Sequence, residues 1–113
     1  MSSLSTHVLD ATSGRPAAGM AVRLERVDGP PGGVVEVVAS AVTDADGRVA
    51  SLAADLGAGV YQVVFDTGGY FAGRGVTAFY PRVAVTFSVD GPQQHYHVPL
   101  LLSPFAYSTY RGS

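Results

Sequence analysis

The chain has 113 residues, 47% of them hydrophobic and 14% charged, with a formal net charge of −2. That length and apolar content suit one folded domain over residues 1–113 and exclude an intrinsically disordered chain. Seven Lys and Arg residues without a cluster argue against nucleic acid or an anionic membrane as partner, and the absence of cysteine excludes disulfides, thiolate nucleophiles and Cys-based zinc sites.

Residues 4–9 alternate, with Leu4, Thr6 and Val8 on one face and Ser5, His7 and Leu9 on the other, which predicts a half-buried strand. DATSGRPAAG breaks that pattern with Gly14, Pro16 and Gly19. A second strand is expected over residues 20–27, DGPPGG reads as a turn or hairpin tip, and residues 34–42 read as a third strand. TDADGR is a tight turn into a strand over residues 49–52, and VYQVVF at residues 60–65 is β-branched and aromatic. Residues 67–74, TGGYFAGR, are the only expected helix, short and weakened by three glycines. Strands follow over residues 83–89 and 96–102, and a last polar-aromatic one over residues 107–111. Many short strands between Gly, Pro and Asp turns indicate an all-β antiparallel sandwich or barrel.

No apolar stretch approaches the ~20 residues needed to span a bilayer. MSSLSTHVLD lacks the basic and apolar regions of a secretory signal, so a cytoplasmic location is expected. A low charge fraction also suits a chain that covers part of its surface by self-association.

The candidate chemistry lies in His7, His95, His97, two arginines and the last four residues. His7 falls on the face away from Leu4, Thr6 and Val8, where a solvated surface histidine is the plainer reading. In HYHVPLLL the apolar face is Tyr96, Val98, Leu100 and Leu102, which leaves His95, His97, Pro99 and Leu101 opposite. Pro99 removes a ladder donor, so that strand is expected to be irregular or at an edge there. His95 borders a turn and reads as solvated; His97 lies deeper and reads as partly covered. Two outward imidazoles without a third ligand beside them are a weak metal signal. Arg48 is either the surface residue that starts a strand after an Asx turn or a fixed guanidinium for a planar anion or carbonyl. Tyr110, Arg111, Gly112 and Ser113 bring a phenol, a guanidinium, a flexible glycine, a hydroxyl and a free carboxylate to one spot, a set suited to a small polar molecule.

These segments together resemble the transthyretin-like family, in particular its 5-hydroxyisourate hydrolases of purine catabolism. The resemblance runs through STHVLDATSGRPAAGM, TDADGR and FDTGGYFAGRGVTAFYPRVAVTF to HYHVPLLLSPFAYSTYRGS, nearly the whole chain. It implies a transthyretin-like (prealbumin-like) antiparallel sandwich of about eight strands with one short helix. It also implies hydrolysis of 5-hydroxyisourate to 2-oxo-4-hydroxy-4-carboxy-5-ureidoimidazoline without metal or organic cofactor. The implied catalytic set is His7, Arg48, His97 and Ser113, with His7, Arg48, Tyr110, Arg111, Gly112 and Ser113 binding substrate. His95 is a neighbour on the same face, outside that set. Implied too are a homotetramer, a dimer of dimers with sites at the subunit interface, and a terminal tetrapeptide intolerant of a short extension. The rival expectations are a transthyretin-like carrier of a small aromatic ligand and a regulatory sandwich serving a larger enzyme.

Overall fold

A computed structural model describes residues 2–27, 33–90 and 93–112. The chain runs β1 (Ser2–Asp10), β2 (Arg15–Pro16), β3 (Ala21–Val27), β4 (Val34–Val42), β5 (Arg48–Leu56), β6 (Gly59–Phe65), α1 (Thr67–Ala72), β7 (Val83–Val89), β8 (His95–Leu102) and β9 (Tyr107–Thr109). One sheet has the order β2-β1-β8-β9, with β5 also paired to β1; the other has the order β4-β3-β6-β7. Their inner faces meet in one apolar core in which Leu4, Val8, Leu24, Val63, Phe65 and Leu100 are wholly buried. The period of two produces this arrangement directly, because successive strand side chains point to opposite faces.

The expected sandwich of about eight strands and one short helix is the fold that forms. The additional strand is β2, a two-residue piece inside the segment read as a simple break. It pairs with the end of β1 through Leu9–Pro16 and Asp10–Arg15 after a turn in which Gly14 takes a positive φ of 71°. β5 extends past the expected residue 52 to Leu56 and shifts register twice against β1. The helix is shorter than residues 67–74; Asp66 caps it by accepting the Gly69 N–H, and Tyr70 and Phe71 fix it to the core.

One ladder departs from the antiparallel rule. β1 and β8 run parallel, from Ser3–His95 to Asp10–Leu102. β8 is accordingly an inner strand, so Pro99 is not at an edge, yet pairing on its other side is irregular as expected. β9 pairs only with Leu100, Leu101 and Leu102, and contact resumes at an isolated bridge between His97 and Gly112. In the gap the Thr109 hydroxyl donates to the Pro99 carbonyl at 2.6 Å. Residues 28–32 of the DGPPGG tip, residues 91–92 and Ser113 lie outside the described residues. Among the described residues no helix is long and apolar enough to cross a membrane.

Candidate active site

His7 and Arg48 are direct partners across the β1–β5 ladder, so their side chains leave the same face of the sheet. The alternation of β1 explains His7: Leu4, Thr6 and Val8 are buried in the core, and His7 is turned outward and half-buried. The turn before β5 explains Arg48. The Asp44 carboxylate accepts the N–H groups of Asp46 and Arg48 at 2.9 and 3.0 Å, and the Gly47 N–H donates to the Asp44 carbonyl at 2.9 Å. Gly47 has a φ of 72°, and a Cβ there would overlap the carbonyl of Val8. The Gly47 carbonyl in turn accepts the Val8 N–H at 2.8 Å, which ties the turn to the residue after His7.

The parallel register brings the other two histidines to this face. Ser3 stands opposite His95, Ser5 opposite His97, and His7 opposite Pro99. Two residues along a strand and one strand across place His7 and His97 as diagonal neighbours, with backbones about 8 Å apart. The Ser5 hydroxyl lies 2.7 Å from His97 Nδ1 and 2.9 Å from His95 Nε2, and the Ser3 hydroxyl lies 2.6 Å from His95 Nδ1. Ser5 is buried and His97 half-buried, while His95 is exposed.

The end of the chain runs back along β8. The Gly112 N–H donates to the His97 carbonyl at 2.9 Å, and a Cβ on Gly112 would overlap the Cδ2 edge of the His97 ring. With Ser5 on Nδ1 and Gly112 against Cδ2, Nε2 is left as the ring nitrogen without a hydrogen-bond partner among the described residues. Arg111 alternates to the opposite face. Its guanidinium donates to Gln94 Oε1 at 2.9 Å and lies 4.8 Å from the centroid of the Tyr96 ring. Gln94 also donates to the Tyr96 hydroxyl at 2.7 Å, so Arg111 clasps the tail to the sandwich edge. Tyr110 is 59% exposed.

His7, Arg48, His97 and Gly112 are thus brought together, whereas the Arg111 side chain is engaged by Gln94 and Tyr96. Burial lowers the His97 pKa below the ordinary imidazole value, and the Arg48 guanidinium and the neighbouring His7 and His95 lower it further; a hydrogen bond to Ser5 opposes them. A neutral imidazole near pH 7 with an open Nε2 can take a proton from water, and a guanidinium on the same face can offset a developing oxyanion. The sequence alone does not show the link from Ser3 and Ser5 to His95 and His97. Ser5 lies two residues before His7 on the same face, but only the parallel register shows which side chains it meets.

The site is an open face. A cavity of about 320 Å³ lies behind it at the sandwich edge, lined by Phe87, Tyr96, His97, Thr109, Tyr110 and Arg111. A larger groove of about 530 Å³, among Arg23, Ser40, Val64, Asp66 and Arg82 on the second sheet, holds none of the histidines.

Two stacked sheets in this order, with two histidines and an arginine on one outer face, define a transthyretin-type domain carrying a polar site. The chain belongs to the HIUase/Transthyretin family, which matches residues 4–112. It is 46% identical over 118 residues to the 5-hydroxyisourate hydrolase of Caulobacter vibrioides, with 100% of each chain covered. The structure of Klebsiella pneumoniae 5-hydroxyisourate hydrolase matches with a TM-score of 0.87 at 41% identity over 100% of both chains. Sea bream transthyretin in complex with thyroxine also matches with a TM-score of 0.87, at 37% identity over 96% of this chain and 93% of that one. Backbone similarity therefore does not separate the two activities; side chains must.

Proposed function

We propose that this chain, acting as a single domain, hydrolyses 5-hydroxyisourate to 2-oxo-4-hydroxy-4-carboxy-5-ureidoimidazoline. The observation that carries the reading is the placement of His7, Arg48 and His97 on one face of a chain 46% identical to a named hydrolase. Opening an amide-like C–N bond requires an activated water, a stabilised tetrahedral oxyanion and a protonated leaving nitrogen. His97 or His7 supplies the base and acid functions, and Arg48 holds the planar substrate and offsets the oxyanion. The last residues complete the binding surface: Gly112 packs against His97, Arg111 holds the tail, and Tyr110 and Ser113 contribute substrate-binding groups.

The open face belongs to a cytoplasmic homotetramer, a dimer of dimers with sites where subunits meet. Leu9 and Leu101, each 37% exposed, share the outer face with His7 and His97 and suit a covering subunit. Phe79 and Phe105, 68% and 70% exposed, add apolar surface at the loops that end the sandwich. Light scattering that finds a stable monomer would remove this part of the reading.

The likeness to sea bream transthyretin favours one rival, a carrier of a small aromatic ligand. Catalytic side chains are superfluous to a carrier, whereas a hydrolase needs the base, the guanidinium and their alignment. The test is direct. 5-Hydroxyisourate is generated freshly with urate oxidase and its ultraviolet decay followed with and without the protein. Acceleration is expected, and decay at the spontaneous rate would refute the assignment.

A further inference from the structure

The hydroxyl groups of Ser3 and Ser5 and the rings of His95 and His97 form one unbroken line of hydrogen bonds. It begins at His97 Nδ1, passes through Ser5 at 2.7 and 2.9 Å, crosses the His95 ring, and ends at Ser3 at 2.6 Å. One end is the half-buried His97 ring, whose Nε2 has no hydrogen-bond partner among the described residues; toward the other end His95 is exposed and Ser3 half-buried. A hydroxyl has a single proton to donate, so Ser5 cannot donate to both rings at once. Whichever ring it donates to, the other must donate back. The tautomers of His95 and His97 are therefore coupled through one oxygen.

We propose, taking the hydrolase reading as basis, that Ser3, His95 and Ser5 act as a proton wire that sets the tautomer of His97 and connects its Nε2 to solvent. The line has two self-consistent arrangements with both rings neutral. In the first, His97 Nδ1–H donates to Ser5, Ser5 donates to His95 Nε2, and His95 Nδ1–H donates to Ser3. His97 Nε2 then carries a lone pair and is a base. In the second, every donor and acceptor is exchanged, and His97 Nε2 carries a proton and is an acid.

The reaction alternates between them. When water attacks the carbonyl carbon, its O–H bond breaks, the electron pair stays on the oxygen that forms the new C–O bond, and the proton goes to Nε2. Each proton of the line shifts one place outward: from His97 Nδ1 to Ser5, from Ser5 to His95 Nε2, from His95 Nδ1 to Ser3, and from Ser3 to water. This leaves the second arrangement. When the C–N bond breaks with its electron pair on nitrogen, Nε2–H gives its proton to that nitrogen and the line shifts one proton inward from solvent. One proton leaves and one returns, and a C–N bond and an O–H bond are replaced by a C–O bond and an N–H bond. Ionisation of the carboxylic acid product afterwards releases one further proton.

The packing around His97 is what such a device requires. Gly112 against Cδ2 and Ser5 on Nδ1 hold the ring angle, so only protons and not the ring itself need move. The reduced basicity of His97 keeps it neutral and ready to alternate near pH 7. Ser5 and His95 are positioning residues in this scheme; of the residues in the line, only His97 touches the reacting atoms.

The test compares wild type with Ser5→Ala, Ser5→Thr and His95→Phe, by steady-state kinetics and by nitrogen NMR of the histidine rings. Ser5→Ala is expected to lower kcat about 10–100-fold, part of the general acid–base factor, with KM changed less than about twofold. Added imidazole buffer is expected to restore part of the loss, and Ser5→Thr, which keeps a hydroxyl, most of it. The His97 ring nitrogens, dominated by one tautomer in wild type, are expected to become mixed in Ser5→Ala. His95 is exposed, so His95→Phe is expected to fold and to give the same readings if Ser5→Ala does not fold. Wild-type kcat in His95→Phe, an unchanged His97 tautomer, or a loss that imidazole does not relieve would overturn the wire. A wild-type protein without hydrolase activity would defeat the hydrolase reading instead, and the tautomer coupling between His95 and His97 would still decide the wire.

Discussion

Gly112 and His97 face each other across a single bridge, with the glycine N–H on the histidine carbonyl and no room for a Cβ beside the imidazole. The contact couples the position of the tail to the angle of the ring. Gly112→Ala must displace one or the other. We expect kcat to fall by up to about 10²-fold, the scale of an ångström-sized misplacement, while thermal unfolding changes little because Gly112 lies outside the core. Kinetics and a thermal melt on the same preparation check both halves.

His97→Asn and His7→Asn separate the two imidazoles. Loss of the residue that activates water is expected to lower kcat by about 10²–10⁴-fold. A variant that kept wild-type kcat would remove that histidine from the proton-transfer role.

Arg48 has an effect on pH as well as on rate. His97 acts as a base only when neutral, so activity is lost as pH falls through its pKa, which lies below the ordinary value of 6.5 partly because of the Arg48 charge. Arg48→Gln removes that contribution, so the His97 pKa rises and the acid limb of kcat/KM moves to higher pH. Loss of oxyanion stabilisation also lowers kcat by about 10²–10³-fold throughout. A pH–rate profile of the variant with an unshifted acid limb would contradict the assignment of that limb to His97.

Gly47→Ala tests the turn that delivers Arg48. The position holds a positive φ and its Cβ would meet the Val8 backbone, so destabilisation of about 1–3 kcal/mol is expected in denaturant unfolding, together with weakened activity.

Much of this was legible in the sequence, and the reasons differ by feature. The alternation in residues 4–9 and 96–102 gave the correct inward and outward faces, because a buried sheet face tolerates no one-residue slip. The Asx turn at Asp44 was legible because its chemistry is local. Hidden features were those set by partners far away in the chain. The parallel pairing of β1 with β8 joins residues about ninety positions apart, and without it Ser5 has no visible reason to meet His95 and His97. Arg111 shows the same limit. In the sequence it groups with its neighbours as a binding residue; in the fold its side chain meets Gln94 and Tyr96.

Tyr70 links the helix to the first strand and gives a stability prediction. Its hydroxyl donates to the buried Asp10 carboxylate at 2.9 Å, and burial first, then Asp10, pushes its pKa up to about 12 from 10.0. The folded state therefore favours the neutral phenol. That stabilisation is complete below pH 10 and is lost as pH rises toward 12. Tyr70→Phe should cost about 1–3 kcal/mol near neutrality and make the fall between pH 10 and 12 shallower in denaturant titrations.

The parallel ladder between β1 and β8 also sets an order of events during synthesis. The strand bearing His7 is made first, but the strand that flanks it and bears His97 follows some ninety residues later. Until then one long edge of β1 has no partner, and closing that contact carries the slow kinetics of non-local pairing. The face that would do chemistry is thus assembled last, after β3, β4, β6 and β7 have all been made. A nascent chain halted before residue 95 would hold most of the core and His7, but neither His95 nor His97.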